Sequence, residues 1–223
     1  MTMRSAINPP DFSAILASSI HDMKNSLGVI CGLIQSLKQR NEVPKQELAQ
    51  LESEAERMNN NLMQLLSLYK IDVAKFSLNI DEYLVKDILD DIYAQQSNLL
   101  DLNHITLELE YEENTYCYCD RYLLESALGT ILNNAQRYSK QKIILSAKPH
   151  DGYTEFSIED DGNGFPAANL STDYVNFNTG STGLGLYFAS TIANLHESNV
   201  NHGYSHISNE SRLGGGKLSL FIP

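Results

Sequence analysis

Apolar residues near the start of the chain recur in alternating steps of three and four. Phe12, Leu16, Ile20, Met23, Leu27, Ile30, Ile34 and Leu37 form one such series. This is a heptad seam, and it predicts an α-helix of about 26 residues. Asn41-Glu42-Val43-Pro44 breaks the pattern, and Pro44 suits the first turn of a new helix. Leu48, Leu51, Ala55, Met58, Leu62, Leu65 and Tyr69 then repeat the spacing. Two helices of about 35–40 Å joined by a short turn must lie antiparallel. Such a hairpin has a wide apolar stripe and little of its own to bury it against. Pairing with a second copy into a four-helix bundle covers the stripe. The alternative is packing on the second part of the same chain.

The periodicity then changes. Residues 80–102 read as a helix, with Tyr83, Leu84, Ile88, Ile92 and Leu99 near a 3.6 spacing. Ile105 to Tyr111 alternates as a strand, and Leu123 to Tyr138 is a second amphipathic helix. Residues 142–147 and 153–158 pair as a hairpin across Pro149-His150-Asp151-Gly152. Residues 165–182 are polar and irregular, Gly183 opens a helix to about Leu195, and residues 204–207 and 217–222 close the chain as strands. The expected fold class is α+β. A dimeric helical hairpin over residues 1–72 precedes an α/β sandwich over 73–223.

Charge supports the same division. Residues 1–70 hold 7 Lys/Arg and 7 Asp/Glu, whereas the other 153 hold 9 and 21, which is the whole net charge of −12. That excess argues against nucleic acid as the main partner. No apolar run reaches the ~20 residues of a membrane span, and Met1 to Asp11 lacks the apolar core of a signal peptide. Three cysteines, Cys31, Cys117 and Cys119, make no disulfide framework, so a cytoplasmic protein is expected. Cys117-Tyr118-Cys119, with no second pair, reads as packing on a strand.

Four short stretches carry chemistry. In the first, His21 follows the seam residue Ile20, with Asp22 beside it and Asn25 one turn on along the same face. In the second, Asn133-Asn134-Ala135-Gln136-Arg137-Tyr138 lies in a helix. An amide oxygen there suits Mg²⁺, and Arg137 suits phosphate. In the third, Asp160-Asp161-Gly162-Asn163-Gly164 follows a strand, where a carboxylate can accept from a base amino group. In the fourth, Gly180-Ser181-Thr182-Gly183-Leu184-Gly185 leads into a helix whose amide donors and dipole suit phosphate oxygens. It is not a Walker loop, since no Gly-Lys-Ser/Thr follows.

In this order and spacing the four stretches resemble the sensor histidine kinases of two-component signalling, over nearly the whole chain. The resemblance implies a phosphoacceptor hairpin followed by an ATP-binding domain of the Bergerat type. It makes His21 the phosphoacceptor, Asp22 its neighbouring acid, and Asn25 the polar residue that helps dephosphorylate a response regulator. Asn134 would hold Mg²⁺, and Arg137 and Tyr138 would approach the phosphates. Asp160, with Gly162 and Gly164, would read adenine. Thr182, Gly183, Leu184 and Gly185 would form the second glycine box, after an ATP lid over 165–182 carrying Tyr174 and Phe177. Ser26 stands where many members carry Pro. Thr130 stands four residues before Asn134, where related ATPases carry an acidic base; a Thr deprotonates water poorly, which fits transfer to His21 rather than hydrolysis.

The function so implied is an ATP-dependent, homodimeric histidine kinase. It phosphorylates itself on His21, passes the group to an aspartate of a response-regulator receiver domain, and acts also as that regulator's phosphatase. With about 20 residues before His21, the signal is expected from a separate sensor protein or ligand. Two rivals use the same residues: a phosphotransfer adaptor that does not use ATP, and a nucleotide-regulated dimerisation scaffold without catalysis.

Overall fold

The computed structural model describes residues 77–166 and 184–223 without a break, together with selected positions between 19 and 71. His21, Thr182, Gly183, Tyr174 and Phe177 lie outside the described residues. The chain divides into two compact units. One is Met1–Phe76 with Asp173–Leu184, and the other is Ser77–Thr172 with Gly185–Pro223.

In the first unit every described position between 19 and 71 is helical. Polar Ser19, Asp22 and Ser26 are buried, while the seam residues Met23 and Ile30 are half-buried. Burial is thus displaced by one position from the apolar stripe. The Arg57 guanidinium donates to the Ser26 hydroxyl, joining positions that are 31 residues apart. A small hydroxyl at residue 26 therefore accepts a hydrogen bond, which proline could not do.

The second unit is built from β1 (Asp81–Leu84), α1 (Val85–Leu102), β2 (Thr106–Tyr111), β3 (Tyr116–Cys119), α2 (Arg121–Tyr138), β4 (Lys142–His150), β5 (Tyr153–Asp160), α3 (Leu184–Leu195, all but its first residue), β6 (Tyr204–Ser208) and β7 (Lys217–Ile222). Five strands form a sheet in the order β2-β4-β5-β7-β6, with β2 and β6 at its edges. Only β2 and β4 run parallel. β1 and β3 make a separate antiparallel ribbon.

Two expectations need correction. Residues 81–84 are a strand rather than the first turn of the helix, because they pair with Tyr116–Cys119. The β4–β5 hairpin turns over Asp151-Gly152 alone, and Pro149 lies within β4 opposite Thr154. Beyond Ala147 the strand has lost β2 as a neighbour, so a residue without an N–H is tolerated there. At the turn Asp151 has φ 45° and Gly152 has φ 84°, the left-handed pair that a tight hairpin demands.

One sheet face carries Ile143, Leu145, Phe156, Ile158, Leu218 and Leu220, all buried. The helices bring Ile88, Leu89 and Ile92 from α1, Leu124, Leu128 and Leu132 from α2, and Phe188 and Ile192 from α3. Each such side chain stabilises the fold by about 1.5–3 kcal/mol through removal of apolar area from water.

The opposite face is polar and paired within itself. Ser146, Ser157 and Ser219 lie in register across β4, β5 and β7. Ser146 and Ser157 hydroxyls meet at 2.7 Å, and Ser219 donates to Glu155 at 2.8 Å. Lys217 and Lys148 also reach Glu155, at 3.1 and 3.3 Å. Burial resists ionisation of Glu155, but the Ser219 and Lys217 contacts outweigh it and hold the carboxyl below its ordinary range. Cys117 and Cys119 are buried on β3, while Tyr116 and Tyr118, which alternate with them, face out. Among the described residues no helix is long and apolar enough to cross a membrane, and no three metal-ligating side chains cluster.

Candidate functional site

The site begins at the end of β5, where Asp160 leaves the sheet with 9% of its surface exposed. Its Oδ1 accepts from the backbone N–H of Gly162 at 2.8 Å and of Gly216 at 3.2 Å. Two amide donors on one carboxylate oxygen fix its direction. The main chain is held too: Asp160 donates to the Gly216 carbonyl at 3.0 Å, and its own carbonyl accepts from Gly215 at 3.1 Å and from the Ser211 hydroxyl at 2.8 Å.

Glycine is required around this carboxylate by close approach. A Cβ at Gly215 would lie 2.4 Å from Asp160 Oδ1, and one at Gly162 would lie 2.4 Å from the Tyr138 carbonyl oxygen. The second contact ties the end of β5 to the end of α2. Asp161 tightens the same junction, accepting from the N–H groups of Lys140, Gln141 and Lys142 at 2.7 to 3.2 Å. Burial opposes its ionisation, but those three amides prevail and lower its pKa.

One turn before Tyr138, α2 carries Asn134, and four residues earlier Thr130. Both meet the first turn of α3. A Cβ at Gly185 would come 2.7 Å from Thr130 Cγ2 and 3.4 Å from Asn134 Nδ2. Thr130 donates its hydroxyl proton to the Ser126 carbonyl at 2.8 Å. The Asn134 amide is half-buried and makes no hydrogen bond to the described residues, so its oxygen is available as a hard ligand. Arg137 and Tyr138 are exposed at the end of α2. The structure therefore brings Asn134, Tyr138, Asp160, Gly162 and Gly185 into one contiguous region through α2. Gly164 adjoins it, with φ 74°. Leu184 is buried at the start of α3. Asp22 and Asn25 are helical positions of the first unit, one buried and the other exposed.

Sequence reasoning missed the second half of the Asp160 cradle. Ser211, Gly215 and Gly216 all contact Asp160 from the β6–β7 loop. The triple glycine before β7 is the one sequence signal, and it reads by default as a turn. The loop is fastened on the other face of β5 as well. Arg212 meets Glu159 at 2.9 Å and Glu110 at 2.9 Å. Burial disfavours the charged form of Glu159, but Arg212 more than offsets it and lowers its pKa.

Residues 119–223 match the family model described as histidine kinase-, DNA gyrase B- and HSP90-like ATPase. That part of the chain is similar to the ATPase domains of this family, and an ATP-binding domain is present. Such domains bind ATP, and the mixed sheet with its helices is of the Bergerat type. The chain as a whole is similar to sensor histidine kinases. It is 28% identical over 194 residues to sensor histidine kinase CssS of Bacillus subtilis, covering 83% of this chain and 42% of the relative. It is 24% identical over 218 residues to sporulation kinase D of the same organism, covering 94% and 41%. The chain thus spans about two fifths of the length of these curated relatives. Among solved structures, the Acinetobacter baumannii histidine kinase AdeS aligns at a TM-score of 0.67 and 22% identity, covering 91% of this chain and 96% of that one. The catalytic domain of histidine kinase ThkA aligns at 0.56 and 18%, covering 66% and 97%. Together these findings support the histidine kinase family.

The residues present fit a nucleotide of this family. Gly162, Gly185, Gly215 and Gly216 let the backbone close tightly against Tyr138, Thr130, Asp160 and Phe165, and the Asp160 carboxylate so held keeps an Oδ2 that accepts no hydrogen bond from the described residues and suits a base amino group. Asn134 is the oxygen donor in this region that suits Mg²⁺.

Proposed function

We propose that the chain is an ATP-dependent protein histidine kinase. It phosphorylates itself on His21 and passes the group to an aspartate of a response-regulator receiver domain. The observation that carries this reading is the Asp160 carboxylate. It is nine-tenths buried in an ATPase fold, with Oδ1 aimed by two amides and Oδ2 accepting no hydrogen bond from the described residues. A carboxylate so fixed suits the exocyclic amino group of adenine.

Asn134 would hold Mg²⁺, which when bound offsets phosphate charge. Arg137 and Tyr138, exposed one turn on, would meet the phosphates, and the amides at the start of α3 would complete the cradle. An imidazole nitrogen of His21 attacks the γ-phosphorus, the bond to ADP breaks, and Asp22 holds the imidazole in the reactive tautomer. Thr130, whose hydroxyl proton is given to the Ser126 carbonyl, is a poor base toward water, which favours transfer over hydrolysis. Half-buried Met23 and Ile30 suit a second copy of the hairpin, and this supports a homodimeric bundle.

The deciding test is incubation with γ-labelled ATP and Mg²⁺. Wild-type protein should acquire an acid-labile, base-stable label that His21→Gln lacks. Label retained by His21→Gln sinks the assignment.

A further inference from the structure

We infer that Asn209 is a positioning residue for the Asp160 carboxylate, acting through Phe165 and Gly216. The inference rests on the reading of Asp160 as the adenine-reading group.

Asn209 lies just past β6 and clasps a single residue with both ends of its amide. Its Oδ1 accepts from the Phe165 N–H at 2.6 Å, and its Nδ2 donates to the Phe165 carbonyl at 2.9 Å. A fork that occupies both peptide groups of one residue fixes position and orientation together. The chain is shaped to admit it: Gly164 has φ 74°, and a Cβ there would lie 2.6 Å from Asn209 Oδ1.

The clasp has a consequence one layer in. A Cβ at Gly216 would lie 2.7 Å from Phe165 Cε2 and 3.1 Å from Cδ2, so the ring rests directly on that glycine. Gly216 is one of the two amide donors to Asp160 Oδ1. Its bond, at 3.2 Å, is longer than the 2.8 Å bond from Gly162. The longer bond is the one that yields first when the packing over Gly216 loosens, since hydrogen bonds weaken with distance. Arg212 anchors the same loop from the opposite face of β5, and Gly216 is held to the Asp160 main chain through its carbonyl, so the Phe165 ring bears on the aim of the Gly216 N–H rather than on its place in the sheet. Asn209 therefore sets the aim of Asp160 without touching a ligand itself.

The experiment compares binding of two nucleotides to the full chain: ATP, and purine riboside triphosphate, which lacks the amino group that Asp160 would meet. Asn209→Ala should weaken ATP binding by roughly threefold to tenfold, as expected for one compromised hydrogen bond to a charged group, and leave the amino-free nucleotide within about twofold. Phe165→Ala keeps the backbone clasp but removes the ring, and should show the same selective loss; it decides the matter if Asn209→Ala does not fold. A merely structural role would weaken both nucleotides alike. Equal losses, or none, overturn the inference. Asp160→Asn is run beside them and should abolish the preference for ATP. If it does so while Asn209→Ala and Phe165→Ala keep the preference, only the role of Asn209 falls. If Asp160→Asn itself keeps the preference, the adenine reading falls and this inference with it.

Discussion

The Tyr138 carbonyl oxygen and Gly162 are in such close approach that any side-chain carbon on the glycine would sit 2.4 Å from that oxygen. This contact, with the three amides that donate to Asp161, sets the distance between the last turn of α2 and the end of β5 that carries Asp160. Gly162→Ala must push the two apart. ATP affinity is expected to fall by on the order of tenfold, about 1.4 kcal/mol, which calorimetric titration would read. Wild-type affinity in Gly162→Ala would show that the junction does not govern the site.

A second close approach predicts a rescue. Gly185→Ala drives a methyl to 2.7 Å from Thr130 Cγ2. Overpacking of this kind costs about 1–3 kcal/mol. Thr130→Ser deletes that Cγ2 and keeps the hydroxyl bonded to Ser126. The double variant should therefore recover most of the stability that Gly185→Ala loses, measured by urea unfolding. Strict additivity of the two substitutions would refute the contact.

The helical and strand periods were legible in the sequence wherever the pattern was long. The α2 and α3 helices and the final strand β7 match their apolar spacing, because one buried face dictates them. Asp81–Leu84 was not legible. Its four residues continue the apolar spacing of the helix that follows, and only pairing with Tyr116–Cys119, far along the chain, makes them a strand. Asp160 and Asn134 stood out by residue type. Gly215 and Gly216 did not, since their part in the site comes from lying beside Asp160 in space, which no local pattern records.

His196 joins the end of α3 to the cap of α2. Its Nε2 accepts from the Asp120 N–H at 3.0 Å, and its Nδ1 donates to the Ile192 carbonyl at 2.8 Å. Burial lowers its pKa, so the folded protein keeps the ring neutral. An unfolded histidine takes up a proton below about pH 6.5, so the unfolded state gains protons first and stability falls as pH drops through that point. The melting temperature should decline between pH 7 and 5.5. In His196→Gln it should start lower, by about 1–2 kcal/mol of stability, and change less over that window. An equal slope in both proteins would exclude His196 as the cause.

Asp22 and Asn25 separate two activities under the proposed function. Asn25→Ala should autophosphorylate within a few fold of wild type but dephosphorylate a cognate receiver domain much more slowly. Asp22→Ala should lose autophosphorylation, because its imidazole tautomer is no longer fixed. Radiolabel time courses with a purified receiver would show the contrast, and equal loss of autophosphorylation in both variants would contradict it.

The edge strand β2 bears on how these molecules behave in a crowded solution. Among the described residues its outer rim pairs with no other strand, the kind of template on which a second chain could extend the sheet. Glu108 and Glu110 stand on it, with Glu112 and Glu113 directly after. Two copies approaching rim to rim would set carboxylate against carboxylate. Lys142 and Arg212 pair with Glu108 and Glu110 within each molecule, so among the described residues the acids that two approaching copies would set against each other without a cation are Glu112 and Glu113 at the strand's end. The strand that closes the sheet on this side thus doubles as its guard against aggregation.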